Sequence, residues 1–510
     1  MGFWREELQN IHDGKSIDSD FLAALGGVYE NSVEALNGLL FFITRSDAGI
    51  TAPKALVIAG AKDASFDAIG FDGIVEEGDG CRFMVCQLTH GNAIALRKYF
   101  PYTAPKCLRD EKITIGLGDR LGLATGAHAD LLKSYDVAAV FAQQSIRELN
   151  LCGRTYDDVL DDVTYAVFQE GYRQGFGADG DHLKSPDEIK MALDSGYTMI
   201  TLDCSEHIDN SVSRLSRDAL EAQYNALDKA RRDAYEEKYL NLHIDIEGFA
   251  FDISREIIQK TVLIYGGAID FAEMIFNDFI KDKPDVVFEI SIDETLESTE
   301  PVSHFIIASE LLSRGVRIDN MAPRFIGEFQ KGIDYIGDVE TFTKEFEVHC
   351  AIAARFGYKI SVHSGSDKFR IFRIVGEKAK GRYHLKTSGT NWLEAVRTIA
   401  VVNPSLYRRM HRFAEENIEQ AKKSYYISAK SENIPDIDLM SDDELPSLLD
   451  IPDARQYMHI TYGLILNAAD RKEFYSEIYD TLAVHEREYL VSLTAHIGRH
   501  LCELNAPRRV

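Results

Sequence analysis

From Lys112 to about Arg397 the chain alternates short apolar runs with amphipathic stretches, in the repeating order strand, loop, helix. The pattern predicts strands at 112–118 (KITIGLG), 137–143 (VAAVFAQ), 176–182 (FGADGDH) and 197–203 (YTMITLD). Further strands are predicted at 285–292 (DVVFEISI), 316–323 (VRIDNMAP), 358–364 (YKISVHS) and 382–388 (RYHLKTS). Helical periodicity fills the intervals, for example at 155–175, 185–196 and 301–315. The second of these opens on Ser185-Pro186, an N-cap followed by a first-turn proline, and the last two end in Gly196 and Gly315.

Roughly eight strands, each followed by a helix, is the count of a (β/α)8 TIM-type barrel in the α/β class. An open doubly wound sheet shares the alternation. Its dinucleotide turn is missing, however: GLGDRLG at 116–122 puts the glycines at the wrong spacing. Residues 1–110 read as an N-terminal α/β extension, with strand-like runs at 55–60 and 81–88. Residues 111–400 read as the barrel, carrying an acidic, largely helical insertion after strand 4 at about 205–284. Residues 401–510 read as a helical C-terminal region with an acidic, proline-containing loop at 433–453. No short repeat period appears, which argues against a solenoid.

Composition narrows the partners. Of 510 residues, 56 are Lys or Arg and 82 are Asp or Glu, a formal charge of −26. That field repels nucleic-acid backbones and anionic membranes, and favours a small-molecule partner whose own charge is met by local cations. A homo-oligomer is compatible with this composition. The seven cysteines are odd in number, scattered and without a CxxC pair, as expected of reduced thiols. The start MGFWREELQN is charged where a signal peptide is apolar, and Glu6 stands where a myristoylation signal has Ser or Thr. A cytoplasmic protein is expected.

Reactive groups of such a barrel sit at the carboxyl ends of its strands. The third strand ends in Gly177-Ala178-Asp179-Gly180-Asp181-His182, where His182 is a candidate metal ligand and Asp181 a base or a second-sphere carboxylate. An Asp-Gly turn with a surface histidine is the alternative. The seventh strand delivers His363 on the face of Ser361, as a second ligand or a hydrogen-bonded core histidine. His384 lies two residues before Lys386 on one face, so it reads as structural or substrate-facing. Glu289 on the fifth strand shares a face with Ser291 and Asp293. It is either a catalytic acid with a burial-raised pKa or half of an interior ion pair with Lys386 or Arg382. Arg324 and Glu328 follow the sixth strand, and Glu328 either completes the metal site or is an exposed residue at a helix start. Lys386-Thr387-Ser388-Gly389-Thr390 after the eighth strand suits an anionic group, although no Walker motif occurs.

GLGDRLGLAT (116–125), GFGADGDHLK (175–184), APRFIGEFQKGIDYIGD (322–338), SVHSGSDKF (361–369) and YHLKTSGTN (383–391) resemble the tagaturonate epimerase family through nearly the whole barrel. The resemblance implies a divalent-metal enzyme of hexuronate catabolism that interconverts D-tagaturonate and D-fructuronate. It implies His182, Glu328 and His363 as metal ligands, Asp181 as proton acceptor and Glu289 as proton donor. Arg120, Lys386, Thr387 and Ser388 are then expected to hold the substrate's carboxylate. The one divalent cation is Zn, Mn, Co, Ni or Fe, since His and carboxylate ligands suit them all. The same residues leave open a metal-dependent hydrolase or aldolase acting on a small anionic carbohydrate, and a non-catalytic sugar-acid sensor. Neither an HxH on the first strand nor an HExxH occurs to favour the hydrolase.

Overall fold

The computed structural model describes residues 27–45, 53–66, 69–78 and 81–509. The amino-terminal decapeptide on which the targeting expectation rests lies outside them. No helix among the described residues is long and apolar enough to cross a membrane.

Five strands open the described chain: β1 (Glu34–Leu36), β2 (Leu39–Arg45), β3 (Lys54–Ala61), β4 (Ile74–Glu77) and β5 (Cys81–Gln87). They form one antiparallel sheet in the order β1-β2-β3-β5-β4. One face packs with the helix His90–Tyr99 onto Tyr165 and Phe168 of the barrel helix Tyr156–Gln169, so the sheet buttresses the barrel from outside.

The eight expected strands are all present: β6 (Ile113–Leu117), β7 (Ala138–Ser145), β8 (Phe176–Leu183) and β9 (Met199–Asp203), then β12 (Val287–Ile292), β13 (Asn320–Pro323), β14 (Lys359–Val362) and β15 (Tyr383–Thr387). All pair in parallel, and β15 hydrogen-bonds β6 to close the barrel. Burial on both faces explains why they read as nearly continuous apolar runs. The helices between them start where the sequence placed caps. Thr155 and Ser185 each form a capping box, and Pro186 takes the first helical position.

The insertion is largely helical, as expected, with one β-hairpin added. Besides the helices Arg217–Ala226, Lys229–Tyr239 and Arg255–Ile275, it contains a hairpin of β10 (His243–Ile246) and β11 (Phe249–Asp252). Its turn places Glu247 and Gly248 at positive φ, and its apolar positions, Ile244 and Ile246, pack on the helices. A four-residue strand flanked by long helical periodicity is too short to declare itself in sequence.

Beyond the barrel the chain is helical, and the region shares a core with it. Leu121, Ala124 and Cys152 from the first two barrel loops cluster with Trp392, Tyr457 and Tyr462, and the Trp392 indole donates to the Met458 carbonyl at 2.8 Å. These helices therefore lie against the carboxyl ends of the strands and wall the cleft there.

Candidate active site

At that end is a cavity of about 530 Å³, bounded by residues after six of the barrel strands and by Tyr425, Tyr426 and His459 of the C-terminal region. The polar side chains beneath it follow from strand alternation: Asp179 and Asp181 on β8, Thr201 and Asp203 on β9, Glu289 and Ser291 on β12, His384 and Lys386 on β15.

Lys386 is the hub. Its ammonium, fully enclosed, lies 2.9 Å from Asp179, 2.7 Å from Asp181 and 2.8 Å from Glu289, and also donates to the Thr201 hydroxyl. Burial alone would lower the lysine's pKa, but three carboxylates outweigh it and hold it well above the ordinary value. Burial alone would raise Asp181, but Lys386, His182 and His363 hold it well below the carboxylate range. For Asp179 burial wins over Lys386, and its pKa is pushed up to about 6.

β8 ends in a register shift, with His182 at φ +53°, a left-handed conformation that a non-glycine residue adopts at a cost. The twist turns the imidazole toward β14, where the rings of His182 and His363 meet edge to face at 4.8 Å. His363 Nε2 donates to Glu289 Oε1 at 2.7 Å, which leaves Nδ1, 3.3 Å from the Asp293 carboxylate, as the nitrogen that would offer a lone pair once a cation displaces its proton. His182 Nδ1 lies 3.4 Å from Asp203. Both Nδ1 atoms are buried without a hydrogen-bond partner among the described residues. One ligand atom each from His182, Asp293 and His363 lie within 4.8 Å of one another. Two nitrogens and a carboxylate oxygen at that spacing suit a divalent cation of the Zn, Mn, Co, Ni or Fe group. The environment of His363 independently calls for positive charge. Burial would lower its pKa, yet Asp293 and Glu289 raise it to about 10 against the opposing charge of Lys386.

The predicted residues divide. Asp181, His182, Glu328, His363, Arg120, Lys386 and Ser388 all border the cavity. Glu328, however, is exposed on its rim, with its carboxylate on the Gln330 amide, and its backbone pairs with Ile336 in an isolated bridge rather than starting a helix. The carboxylate grouped with the two imidazoles is that of Asp293. Glu289 is wholly buried behind His363, with Lys386, Thr201 and Asn320 on its oxygens, and does not border the cavity. Its expected raised pKa is reversed. Burial does push it upward, but Lys386 and His363 hold it well below the carboxylate range. The interior ion pair is thus the arrangement seen. Lys386, expected to face an anion, is saturated by internal carboxylates. Thr387 donates to the Gly116 carbonyl at 2.9 Å and faces away from the cavity, whereas Ser388 faces it. His384 is a core histidine, 2.8 Å from the Thr114 hydroxyl, with a pKa lowered by burial to about 3. Arg120 is buried, bonded through Nε and Nη2 to Glu148 at 3.0 and 2.9 Å, with its guanidinium 3.7 Å from the Tyr462 ring centre.

Asp179 and Asp293 stand in the strand segments that the sequence marks, on the faces of Asp181 and Glu289, without an assigned role there, and Asp203 on β9 was not singled out. Lys331 and His459 also border the cavity without having been expected there. The former lies in an irregular loop and the latter in an ordinary helical pattern, so neither carries a sequence signal.

The family model described as UxaE, tagaturonate epimerase, matches residues 29–504. The tagaturonate/fructuronate epimerase of Thermotoga maritima is 39% identical over 475 residues, which is 93% of this chain and 96% of that protein. Among solved structures, the fructuronate-tagaturonate epimerase from Cohnella laeviribosi complexed with one glycerol superposes with a TM-score of 0.91 at 45% identity, covering 95% of this chain and 98% of the other. The native crystal structure of that enzyme gives a TM-score of 0.90 at 46% identity, over 95% and 98% of the two chains. On sequence and on fold, then, this chain belongs to the tagaturonate epimerase family.

Proposed function

We propose that this chain interconverts D-tagaturonate and D-fructuronate, using a divalent cation held by His182, His363 and Asp293. The observation that carries the proposal is the conjunction, in one cavity, of two imidazoles with buried unpartnered nitrogens and an ionised Asp181 locked by Lys386. The relatives named above are epimerases, which favours this reading over a hydrolase or a sensor.

The two sugar acids differ at the carbon β to the ketone, whose hydrogen the ketone does not acidify. Breaking the bond between the α and β carbons leaves its electron pair on the ketone fragment and makes the β carbon an aldehyde. A half-turn of the aldehyde and re-formation of the bond invert the centre. Asp181 takes the β-hydroxyl proton as the bond breaks and returns it as the bond re-forms. A divalent cation supplies Lewis-acid stabilisation for the negative charge that develops on the ketone fragment. Lys386 keeps Asp181 ionised and fixed. Glu289 acts as a positioning residue, holding His363 in the tautomer whose Nδ1 lone pair points inward.

Purified protein is expected to convert D-tagaturonate to D-fructuronate, to lose activity on exhaustive chelation and to recover it with one added ion of the group above. Undiminished turnover in protein shown metal-free by elemental analysis would remove the cation from this scheme. In D2O the product should carry no deuterium at the inverted carbon, because a C–C bond rather than its C–H bond breaks. Deuterium there in step with turnover would replace bond cleavage with direct deprotonation. Glu289→Gln should weaken cation affinity by roughly 10–100-fold, the usual effect of disturbing a ligand's hydrogen-bond partner. Chelator competition measures it, and an unchanged affinity would mean that His363 is not positioned through Glu289.

A further inference from the structure

Besides the carboxylates and imidazoles, the cavity lining includes the cations Arg120, Arg147 and Lys331. They share one corner: the charges that act on Lys331 are those of Arg147 and Arg120 against Glu148 and Glu294. Glu148 Oε1 accepts both bonds from Arg120 and one from Ser388, and with Glu294 as the other carboxylate three cations face two anions, so the corner retains an excess of positive charge. Lys331 has a hydroxyl rather than a carboxylate as its hydrogen-bond partner, Ser364 at 2.8 Å, and the Arg147 guanidinium lies 4.8 Å from the Tyr425 ring centre.

Two further groups in this corner are buried and unsatisfied. Arg120 Nη1 has no hydrogen-bond partner among the described residues, and neither does either ring nitrogen of His459. Buried polar atoms are normally bonded, so three left open in this corner of the cavity mark the place of a polar ligand. His459 reaches in from the helix Pro452–Ile460 and fits only because two loops carry glycine opposite it. A Cβ at Gly389 would lie 1.9 Å from its Nε2, and one at Gly332 2.9 Å from its Nδ1. Burial first, then the charges of Arg120 and Lys331, hold His459 neutral, so it offers one N–H donor and one lone pair.

We propose that Lys331 and Arg147, with Arg120 Nη1 and His459 as additional hydrogen-bonding partners, form the subsite for the substrate's carboxylate. This rests on the reading of the substrate as a hexuronate, and it places the ketone end at the imidazoles. The subsite replaces Lys386 as the anion's partner and gives the C-terminal region a part in recognition, since it contributes His459 from a helix and Tyr425 from the segment between helices.

The test is a thermal-shift titration with D-gluconate, an unreactive aldonate, and with D-glucitol, its uncharged counterpart. Gluconate should raise the melting temperature of the intact protein and glucitol should raise it far less, because only the anion engages the corner. Lys331→Met should abolish the difference. Arg147→Gln should reduce it, and because Arg147 is an exposed side chain this variant keeps the test valid if the lysine variant does not fold. In turnover assays both variants should raise KM for the hexuronate, by about 10–100-fold for loss of a charge-assisted hydrogen bond, with kcat at saturation affected far less. Equal shifts by gluconate and glucitol in the unsubstituted protein, or an undiminished gluconate shift in both variants, would overturn the subsite. The binding measurement requires no turnover. A protein that binds gluconate through Lys331 yet epimerises nothing would retire the proposed reaction and keep the subsite. One that epimerises hexuronates with KM unchanged in both variants would keep the reaction and retire the subsite.

Discussion

Lys386→Met is expected to destabilise the protein by about 3–5 kcal/mol at neutral pH, the usual cost of removing one partner from a buried charge network. Lys386 is the ammonium shared by Asp179, Asp181 and Glu289. Without it three carboxylates would remain enclosed, with only His182, His363 and hydrogen bonds to offset them. The pH dependence separates this network from a simple packing defect. In the unsubstituted protein Asp181 and Glu289 are held below their ordinary values, so they contribute stability above about pH 4 that is lost as pH falls through that range. Asp179 runs the other way. Raised to about 6, its contribution is present in acid and lost as pH rises through that value. In the variant all three carboxyls become raised, so stability should be greatest near pH 4 and fall as pH rises toward neutrality. Chemical denaturation across this range measures it, and a variant whose stability changes with pH as the parent's does would show that Lys386 is not the hub.

Asp181→Asn is expected to lower kcat by about 10²–10⁴-fold, the range associated with removing a general base, while the protein stays folded. The side chain keeps its size, and the amide oxygen can still accept from Lys386 at the position now 2.7 Å away. What disappears is the capacity to take the hydroxyl proton. Cation affinity should change much less than kcat, because Asp181 is outside the group formed by His182, Asp293 and His363. Loss of the cation together with activity would instead make Asp181 a ligand. Activity within a few-fold of the parent would pass the role of base to another group.

The barrel was legible because its signal is local. Eight apolar runs of strand length, separated by helical stretches, have few compact solutions, and the observed strands fall within a few residues of the predicted ones. Strand parity also carried Asp181, His363, Glu289 and Lys386 to the inner face of the barrel, since alternation determines which face a side chain leaves by, whereas His182, next to Asp181, joins them only through the register shift and left-handed backbone that end β8. The short hairpin β10–β11 escaped notice because two four-residue strands within helical surroundings have no period long enough to read.

Roles, unlike positions, were decided by tertiary structure. A pKa depends on which charges lie within a few ångströms, and those come from different strands: Glu289 is lowered rather than raised because β15 brings Lys386 and β14 brings His363 against it. The choice of Asp293 over Glu328 beside the imidazoles likewise depends on where two irregular loops settle, which no periodicity specifies. His459, which enters the cavity from a C-terminal helix, lies more than 70 residues beyond the last barrel strand. The sequence by itself therefore determined the barrel, the strand ends and the residue types available there. Only the folded chain decided which cation serves which carboxylate, because that is a matter of distance between residues far apart in sequence.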